Sequence, residues 1–342
     1  MNRSIPEYPQ RRESRGGDGF RDPSHHRHRL VGVTVLALLI AGAATAAVLV
    51  LQRSDNPWPP PGWLFAACDV GQGDALALAA GPAAAVVVDT GPDPAKADRC
   101  LTTLGVRKIP LLLLTHFHAD HVDGVPGVLR GRAVTEIETT DDPDPPRGAN
   151  EVATWASAAD IRTSQAVAGE RREYGPLAWN VLWPDPTAIP PPSAGKAKTP
   201  KRHHSRASPH SGEEGSGPNN ASVVLQVTIA TRDGPVRILL TGDIEPPAQQ
   251  AILAAHPDLA ADVLKVPHHG SAHQDPDLFP AVHPRVAVIS VGAGNTYGHP
   301  APRTLDLAAA SGARIFRTDR DGQIVVFGTA SRLRVAIAGK GS

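Results

Sequence analysis

Aromatic residues and cysteines are scarce in this sequence, and the net charge is close to zero. The first two shortages each argue against one kind of functional site. Phe, Trp and Tyr make up 4% of the 342 residues, so we expect an interior of Ala, Val and Leu rather than a surface that stacks sugars or bases. The two cysteines, Cys68 and Cys100, lie outside the His- and Asp-rich motifs described below, which argues against a cysteine nucleophile. The hydrophobic fraction of 41% is ample for a large core.

A long apolar run near the N-terminus predicts a membrane anchor. Residues 30–51 carry no charge and are long enough, at about 1.5 Å per residue, to cross about 30 Å of hydrocarbon. The polar residues 1–29 are predicted to be a disordered tail. This tail is expected in the cytoplasm, because arginines cluster just before the run. A cleaved signal peptide is the alternative, since residues 43–47 supply small side chains for cleavage. Residues 52–62 form a Pro-rich linker, and the rest of the chain is expected outside the membrane.

The stretch Leu111–Gly124 reads LLLLTHFHADHVDG and organises the remaining chain. Its four leucines predict a buried parallel strand, which is followed at once by His116, His118, Asp120 and His121. Imidazoles and a carboxylate are ligands for zinc, and also for manganese or iron. If the loop is extended, the first two histidines point the same way while the last two residues face a second ion. A histidine-rich surface loop is the plain alternative.

Strands alternate with helices over residues 63–330, after an opening hairpin, which predicts an α/β domain with two sheets between helices. Residues 186–219 are rich in Pro, Ser, Lys, His and Gly, so they are predicted to be a disordered insertion. Residues 331–342 are expected to be a C-terminal strand or tail. The turn Gly71-Gln72-Gly73 does not complete a dinucleotide fingerprint, because position 76 is leucine.

Further candidate ligands follow later predicted strands. Asp243 follows ILLTG, His268 and His269 follow DVLKVP, and His299 follows the strand that ends near Val291. In open α/β sheets functional residues gather at the carboxyl ends of strands, so we expect these side chains to share one cleft. A helix cap is the plain alternative for Asp243, and a satisfied core position for a single histidine. Asp89, at the end of VVVD, is predicted to orient a ligand histidine.

The HxHxDH motif at a strand end resembles the metallo-β-lactamase superfamily, whose fold is an αββα sandwich. Seven motifs in order narrow the resemblance: DVGQGDA, VVDTGP, THFHADHVDG, NNASVVL, LLTGDIE, DVLKVPHHGS and YGHP. Together they resemble the metallo-β-lactamase-like domain of the ComEC family of DNA-uptake proteins. The resemblance implies a metal-dependent phosphodiesterase or nuclease that acts on DNA outside the membrane through metal-activated water.

Carried over by position, the resemblance implies two divalent cations, Zn or Mn, and three kinds of site residue. The implied metal ligands are His116, His118, Asp120, His121, Asp243 and His268. The implied catalytic residues are Asp120, His269 and His299, although the sequence leaves open which of the three late histidines bind metal. The residues implied to orient these ligands are Asp89, Asn220 and Ser222.

Two departures limit the transfer from the family. One predicted span cannot form the ComEC channel, so a separate membrane channel protein is an expected partner, beside DNA and the lipid around residues 30–51. The superfamily's separate histidine between HxHxDH and Asp243 is missing, and Asn219, Asn220 and Ser222 stand in that region. The ComEC-like group shares this pattern, which implies that one metal site is weaker or completed by water.

Charge and the remaining cations leave alternatives open. Residues 57–185 and 221–342 carry 21 Lys/Arg and 27 Asp/Glu, so the domain lacks the excess of basic residues of a typical DNA binder. Lys265, Arg303 and Arg317 are candidates for phosphate contacts or for solvated surface. The alternative functions are a carbonyl hydrolase acting on a lactam, lactone or thioester, and a non-catalytic module that binds DNA or a partner. The two cysteines are expected either to form a disulfide or to be buried thiols.

Overall fold

The computed structural model describes residues 57–185, 187 and 216–339, and Leu38. The predicted tail, residues 52–56 of the linker and most of the insertion lie outside the described residues. So does the predicted span 30–51, apart from Leu38. No helix among the described residues combines the length and apolar character needed to cross a membrane.

The described residues form two sheets, and the first contains ten strands. Its path runs β17-β16-β1-β2-β3-β5-β7-β8, with the short β4 and β6 attached beside β3. Neighbours are antiparallel from β17 to β3 and parallel from β3 to β8. Its strands are β1 Trp63–Ala67, β2 Leu76–Gly81, β3 Ala84–Val88, β4 Lys108–Ile109, β5 Leu112–Leu114, β6 Ala133–Val134, β7 Glu136–Thr139, β8 Arg162–Gln165, β16 Ile324–Gly328 and β17 Leu333–Ile337.

The second sheet has seven strands among the described residues, in the order β15-β14-β13-β12-β11-β10-β9. The pairs from β9 to β12 are antiparallel, and those from β12 to β15 are parallel. Its strands are β9 Arg171–Tyr174, β10 Leu177–Trp183, β11 Val224–Thr231, β12 Gly234–Leu240, β13 Val263–Lys265, β14 Val286–Ile289 and β15 Arg314–Arg317.

Helices lie on the outer face of each sheet and in the loops between strands. They are α1 Pro94–Thr103, α2 Ala119–Val122, α3 Val125–Leu129, α4 Pro146–Ala158, α5 Ser216–Asn220, α6 Pro246–Ala255, α7 Leu278–Val282, α8 Pro302–Ala310 and α9 Thr318–Asp321. One apolar cluster lies between the sheets, a second lies between the first sheet and α1, α3 and α4, and a third lies between the second sheet and α6, α7 and α8. The αββα sandwich predicted from the sequence is therefore confirmed.

The apolar strands at the centre of the first sheet are buried on both faces because they separate two of these clusters. In β3, Val86 and Val88 face the inner cluster, whereas Val87 faces the outer one. The run LLLL divides in the same way. Leu111 and Leu113 face the inner cluster, whereas Leu112 and Leu114 face the outer one. A continuous apolar strand is what a parallel strand covered on both sides requires. The prediction of a buried parallel strand before the HxHxDH motif is confirmed.

Three described segments lie at the limits of the predicted regions. Residues 216–219, the last four of the predicted insertion, belong to α5. The strand β17 lies in the segment 331–342, which is predicted to be a strand or tail, and it extends the first sheet by pairing along β16. Trp58, in the predicted linker, packs against the outer cluster of the first sheet.

The two cysteines form a disulfide that joins the loop after β1 to α1. Cys68 and Cys100 are separated by 32 residues in sequence, and their Cα atoms are 5.8 Å apart. Of the two possibilities left open by the sequence, the disulfide is therefore the one that the structure has.

Candidate metal centre

Five strand ends bring the predicted site residues to one edge of the sandwich. Asp89 follows β3, the HxHxDH motif follows β5 and Asp243 follows β12. The two adjacent histidines, His268 and His269, follow β13 in a short 3-10 turn, and His299 lies in the long loop after β14. The sequence prediction of a cleft at the carboxyl ends of the strands matches this arrangement.

Four of these side chains form a tight group that can hold a metal ion. Asp120, His121, Asp243 and His269 each contribute one ligand atom, and these atoms all lie within 4.8 Å of one another. The Nε2 atom of His269 lies 3.1 Å from both Asp120 Oδ2 and Asp243 Oδ2, and His121 Nε2 lies 3.2 Å from Asp243 Oδ2. Each carboxylate faces imidazole nitrogens, as in a shared coordination site.

The unsatisfied atoms of this group fit a cation. The Nε2 atoms of His121 and His269 are buried and make no hydrogen bond of acceptable geometry with any described residue. Buried polar atoms normally find a partner, so two such nitrogens aimed at the same carboxylate indicate a missing ligand. Burial lowers the pKa of both histidines. The negative charges of Asp243 and, to a smaller extent, Asp120 have a larger opposite effect, so both pKa values lie well above the ordinary range. A divalent cation would balance the same carboxylates with the imidazoles neutral.

His116 and His118 lie beside this group rather than in it. The Nε2 atom of His116 is 3.0 Å from Nδ1 of His118, and its ring centroid is 4.1 Å from that of His121. Burial, together with the neighbouring His121, keeps the pKa of His116 well below the ordinary value, so the ring is neutral and its nitrogens suit a metal. On the far side of the ring, Ser222 Oγ lies 3.2 Å from His116 Nδ1 and accepts the Asp243 N–H at 3.1 Å.

Asp89 contacts the Nδ1 atom of His121. Its Oδ2 atom lies 2.9 Å from His121 Nδ1 and accepts the Thr115 hydroxyl at 2.8 Å, while its Oδ1 atom accepts the Thr115 N–H at 2.7 Å. All three side chains are buried. A carboxylate on Nδ1 fixes the tautomer of the ring and leaves Nε2 for the cation, which is the orienting role expected of Asp89.

The backbone conformation of the turn determines the directions of the two adjacent histidine side chains. His268 and His269 both have positive φ values, 49° and 52°, and Gly270 continues in the same region at 81°. Left-handed conformations cost side-chain-bearing residues free energy and cluster at functional sites. The turn sends the two side chains to different partners: His269 Nδ1 lies 2.9 Å from the Ser290 carbonyl oxygen, and His268 Nδ1 lies 3.5 Å from Glu245 Oε1.

The glycine turn Gly71-Gln72-Gly73 packs against the metal motif. A Cβ on Gly73 would lie 2.0 Å from the carbonyl oxygen of Asp120, and the next residue, Asp74, donates its N–H to that oxygen at 3.2 Å. The glycine is therefore required by close approach of two backbones and by a φ of +123°.

A buried lysine contacts two carboxylates of the site. Lys265 is 0% exposed, and its ammonium contacts the Asp74 carboxylate, the Gly242 carbonyl oxygen at 2.9 Å and Asp243 Oδ1 at 3.4 Å. Burial lowers the pKa of this ammonium, but Asp74 and Asp243 outweigh burial and raise it. The expectation that Lys265 contacts phosphate or lies on the surface is wrong, because its charge is committed to these carboxylates.

The other two cations proposed for phosphate also have protein partners. Arg303 Nη1 donates to the carbonyl oxygens of Ala272 and Gln274, at 2.9 and 3.3 Å. Arg317 forms an ion pair with Asp319. These contacts weaken the case for either arginine as a phosphate ligand.

A second polar group lies next to the first. His268 packs edge-on against His299, with ring centroids 5.4 Å apart. Glu245 accepts from Asn219 Nδ2 at 3.2 Å, and its N–H donates to Asn220 Oδ1 at 3.0 Å. The contact with His268 is the main cause that lowers the pKa of Glu245 to about 2, whereas burial and then His268 lower that of His299 to about 4. Asn220 thus positions Glu245, and His299 is a neutral ring at neutral pH.

The geometry and the sequence identify the family. The sequence profile of the Metallo-beta-lactamase superfamily matches residues 68–275, a span that contains both the HxHxDH motif and Asp243. The chain belongs to the metallo-β-lactamase superfamily. The matched span also contains all four residues of the group that could hold a metal ion.

Two competence proteins are similar in sequence to this chain, and they confirm its resemblance to the ComEC type. ComE operon protein 3 of Bacillus subtilis (strain 168) is 28% identical over 231 residues, which are 66% of this chain and 25% of that protein. Competence protein ComA of Neisseria gonorrhoeae is 32% identical over 108 residues, which are 31% of this chain and 15% of that protein. The matches thus span a quarter or less of these relatives' own length.

The similarity to solved structures is more remote. Zn(2+)-bound PqqB from Methylobacterium extorquens is 11% identical with a TM-score of 0.41, covering 72% of this chain and 85% of that chain. A likeness at this level gives no information on function.

Sequence reasoning missed two partners of the site. Asp74 stands in the motif DVGQGDA, but nothing in the sequence shows that its carboxylate meets Lys265 across the two sheets. Glu245 stands in LLTGDIE, next to Asp243, and only the fold places it beside His268. In both cases the available signal was a charged residue close to a ligand motif at a strand end.

Proposed function

We propose that this chain is a metal-dependent phosphodiesterase that cleaves DNA outside the cytoplasmic membrane. The observation that carries the proposal is the group Asp120, His121, Asp243 and His269, whose ligand atoms lie within 4.8 Å of one another. His116 and His118 are proposed as ligands of a second cation beside it. The competence-protein relatives support a nucleic acid over a lactam as the substrate.

The charge of the site supports two cations and an anionic substrate. In the described part of the chain, four carboxylates lie in or against the metal-binding group: Asp74, Asp89, Asp120 and Asp243. With neutral histidines, only the ammonium of Lys265 opposes them, which leaves a net charge of about −3. Two divalent cations would offset this negative charge, so that an anionic phosphodiester can approach the site.

The chain's own residues then have distinct tasks. When bound, the cations supply Lewis acidity and lower the pKa of water toward neutrality. Asp120 is 15% exposed in its side chain, more than Asp243 or His269, so it is the carboxylate placed to accept a proton from water entering the cleft. His299 has a pKa of about 4, so it is neutral at pH 7 and can donate a hydrogen bond to a phosphate oxygen without carrying charge.

Localisation and partners extend the proposal to the rest of the chain. We propose that residues 30–51 anchor the enzyme in the membrane with its N-terminus in the cytoplasm. The disulfide between Cys68 and Cys100 supports an oxidising surrounding for the domain. DNA would be delivered to, or taken from, a separate membrane channel protein.

A substrate panel tests the class of reaction. The purified full chain, supplied with Mn²⁺ or Zn²⁺ in turn, is assayed on bis-p-nitrophenyl phosphate, labelled single-stranded DNA, a chromogenic lactam and a thioester. We expect turnover of the two phosphodiesters and none of the carbonyl substrates. His116→Ala should remove that turnover, because it deletes a neutral nitrogen beside the four-residue group.

Each other outcome selects a different function. Lactam or thioester turnover without phosphodiester turnover would make the chain a carbonyl hydrolase. Metal-free protein with no turnover of any substrate would indicate a non-catalytic module that binds DNA or a partner. Equal activity of wild type and His116→Ala would remove this histidine from the proposed site.

A further inference from the structure

An exposed tyrosine lies at the rim of the candidate metal centre. Tyr297 is 55% exposed, although the chain has few aromatic residues. Its ring stacks on His299, with an interplanar angle of 26° and centroids 5.7 Å apart. A continuous series of ring contacts then leads through His268 to His269 in the metal-binding group, at 5.4 and 6.1 Å between centroids.

The loop that carries Tyr297 is held in one conformation by a single side chain. Asn295 Nδ2 donates to the carbonyl oxygens of Gly292 and His299, both at 2.8 Å, and Asn295 Oδ1 accepts the His299 N–H at 3.1 Å. Three hydrogen bonds from one amide close the loop at both ends. The tyrosine therefore projects from a pre-organised loop, which reduces the entropy lost when a ligand binds to it.

We propose that Tyr297, stacked on His299, is a platform for one nucleobase next to the scissile phosphate, so that the preferred substrate is a single-stranded polynucleotide. This inference rests on the proposed function and names its substrate class. A base paired inside a duplex is stacked on both faces by its neighbours, whereas an unpaired base can place one face on an aromatic side chain.

The charge of the domain explains why such a platform is needed. Acidic residues outnumber basic residues in the part of the chain that forms the domain, so long-range attraction for the phosphate backbone is weak. Arg303 and Arg317 are already paired with protein groups. Base stacking does not depend on charge and tolerates any base sequence, so it supplies affinity that the surface charge does not.

Binding of an uncleaved strand tests the platform separately from catalysis. The probe is a fluorescent phosphorothioate oligothymidylate, which resists hydrolysis, and its Kd for the full chain is measured by anisotropy with Mn²⁺ present. Tyr297→Ala should raise this Kd about 5- to 150-fold. Tyr297→Phe should retain affinity, because stacking needs the ring and not the hydroxyl.

Matched controls exclude a general effect on the surface or on the fold. Tyr174 is also exposed, at 42%, but it ends β9 beside the turn to β10, away from the strand ends that carry the metal motif. Tyr174→Ala should leave the Kd unchanged. An oligomer of abasic residues should bind wild type and Tyr297→Ala equally, because it offers no base to stack.

The outcomes separate this inference from the proposed function. Weaker binding of Tyr297→Ala to the thymidine oligomer alone supports the platform, even if no substrate is cleaved. Equal Kd values for wild type and Tyr297→Ala would overturn the platform while leaving phosphodiester cleavage intact. Equal weakening on the abasic oligomer would also overturn it, since the tyrosine would then act through the fold or the backbone.

Discussion

Replacement of His269 by alanine is expected to lower phosphodiester hydrolysis at least about 100-fold and to release bound metal. His269 Nε2 is within 3.1 Å of both Asp120 and Asp243, so the variant removes a ligand nitrogen and leaves these two carboxylates close together without it. Loss of a residue that only orients a metal ligand costs about 10- to 100-fold, so loss of a ligand should reach at least the upper end. Metal content by elemental analysis and turnover of bis-p-nitrophenyl phosphate measure the two effects.

An exposed histidine four residues away provides the control. His273 is exposed, and its described contact is made by its backbone N–H, which donates to Ser271 Oγ. His273→Ala should keep wild-type metal content and turnover. If His269→Ala retained full metal content and turnover with unchanged circular dichroism, the four-residue group would not be the metal site.

Replacement of Lys265 by methionine is expected to destabilise the domain more than any surface change. Its ammonium contacts the Asp74 carboxylate, and both side chains are 0% exposed. Removing one partner of a buried ion pair typically costs about 3–5 kcal/mol, because the other charge is left buried and unpaired. Urea denaturation, with the free energy of unfolding extrapolated to water, measures this loss.

A double variant separates stability from catalysis. Lys265→Met with Asp74→Asn removes both charges of the pair, so it should recover much of the lost free energy of unfolding. Activity should remain low, because Asp243 Oδ1 still lacks the ammonium 3.4 Å away. Lys108→Met, at an exposed position, should change stability by less than about 0.5 kcal/mol. A Lys265→Met variant as stable as wild type would contradict the buried ion pair.

The ligands could be predicted from the sequence because local patterns encode them. LLLL followed by HxHxDH specifies both a strand buried on two faces and the polar groups at its end, and each element needs only nearby residues. Asp243 follows the same logic at the end of β12. The αββα order came from strands alternating with helices, which is also a local pattern.

Contacts between distant elements could not be predicted in this way. Lys265 follows two apolar residues, and the sequence does not show that it is buried, since that depends on Asp74, 191 positions earlier, packing across from it. The choice between His268 and His269 depends on backbone dihedrals of a turn, in which both residues have positive φ. Neighbouring positions with the same side chain carry no signal that distinguishes them.

Metal dependence is the most direct test of the central claim that this strand-end group is a hydrolytic metal centre. The full chain is stripped with a chelator, and cleavage of labelled single-stranded DNA is followed as Mn²⁺ or Zn²⁺ is added back. We predict no cleavage in the stripped protein and recovery that saturates as the cation occupies the group around Asp243 and His269. Cleavage at an undiminished rate in stripped, verified metal-free protein would contradict the account.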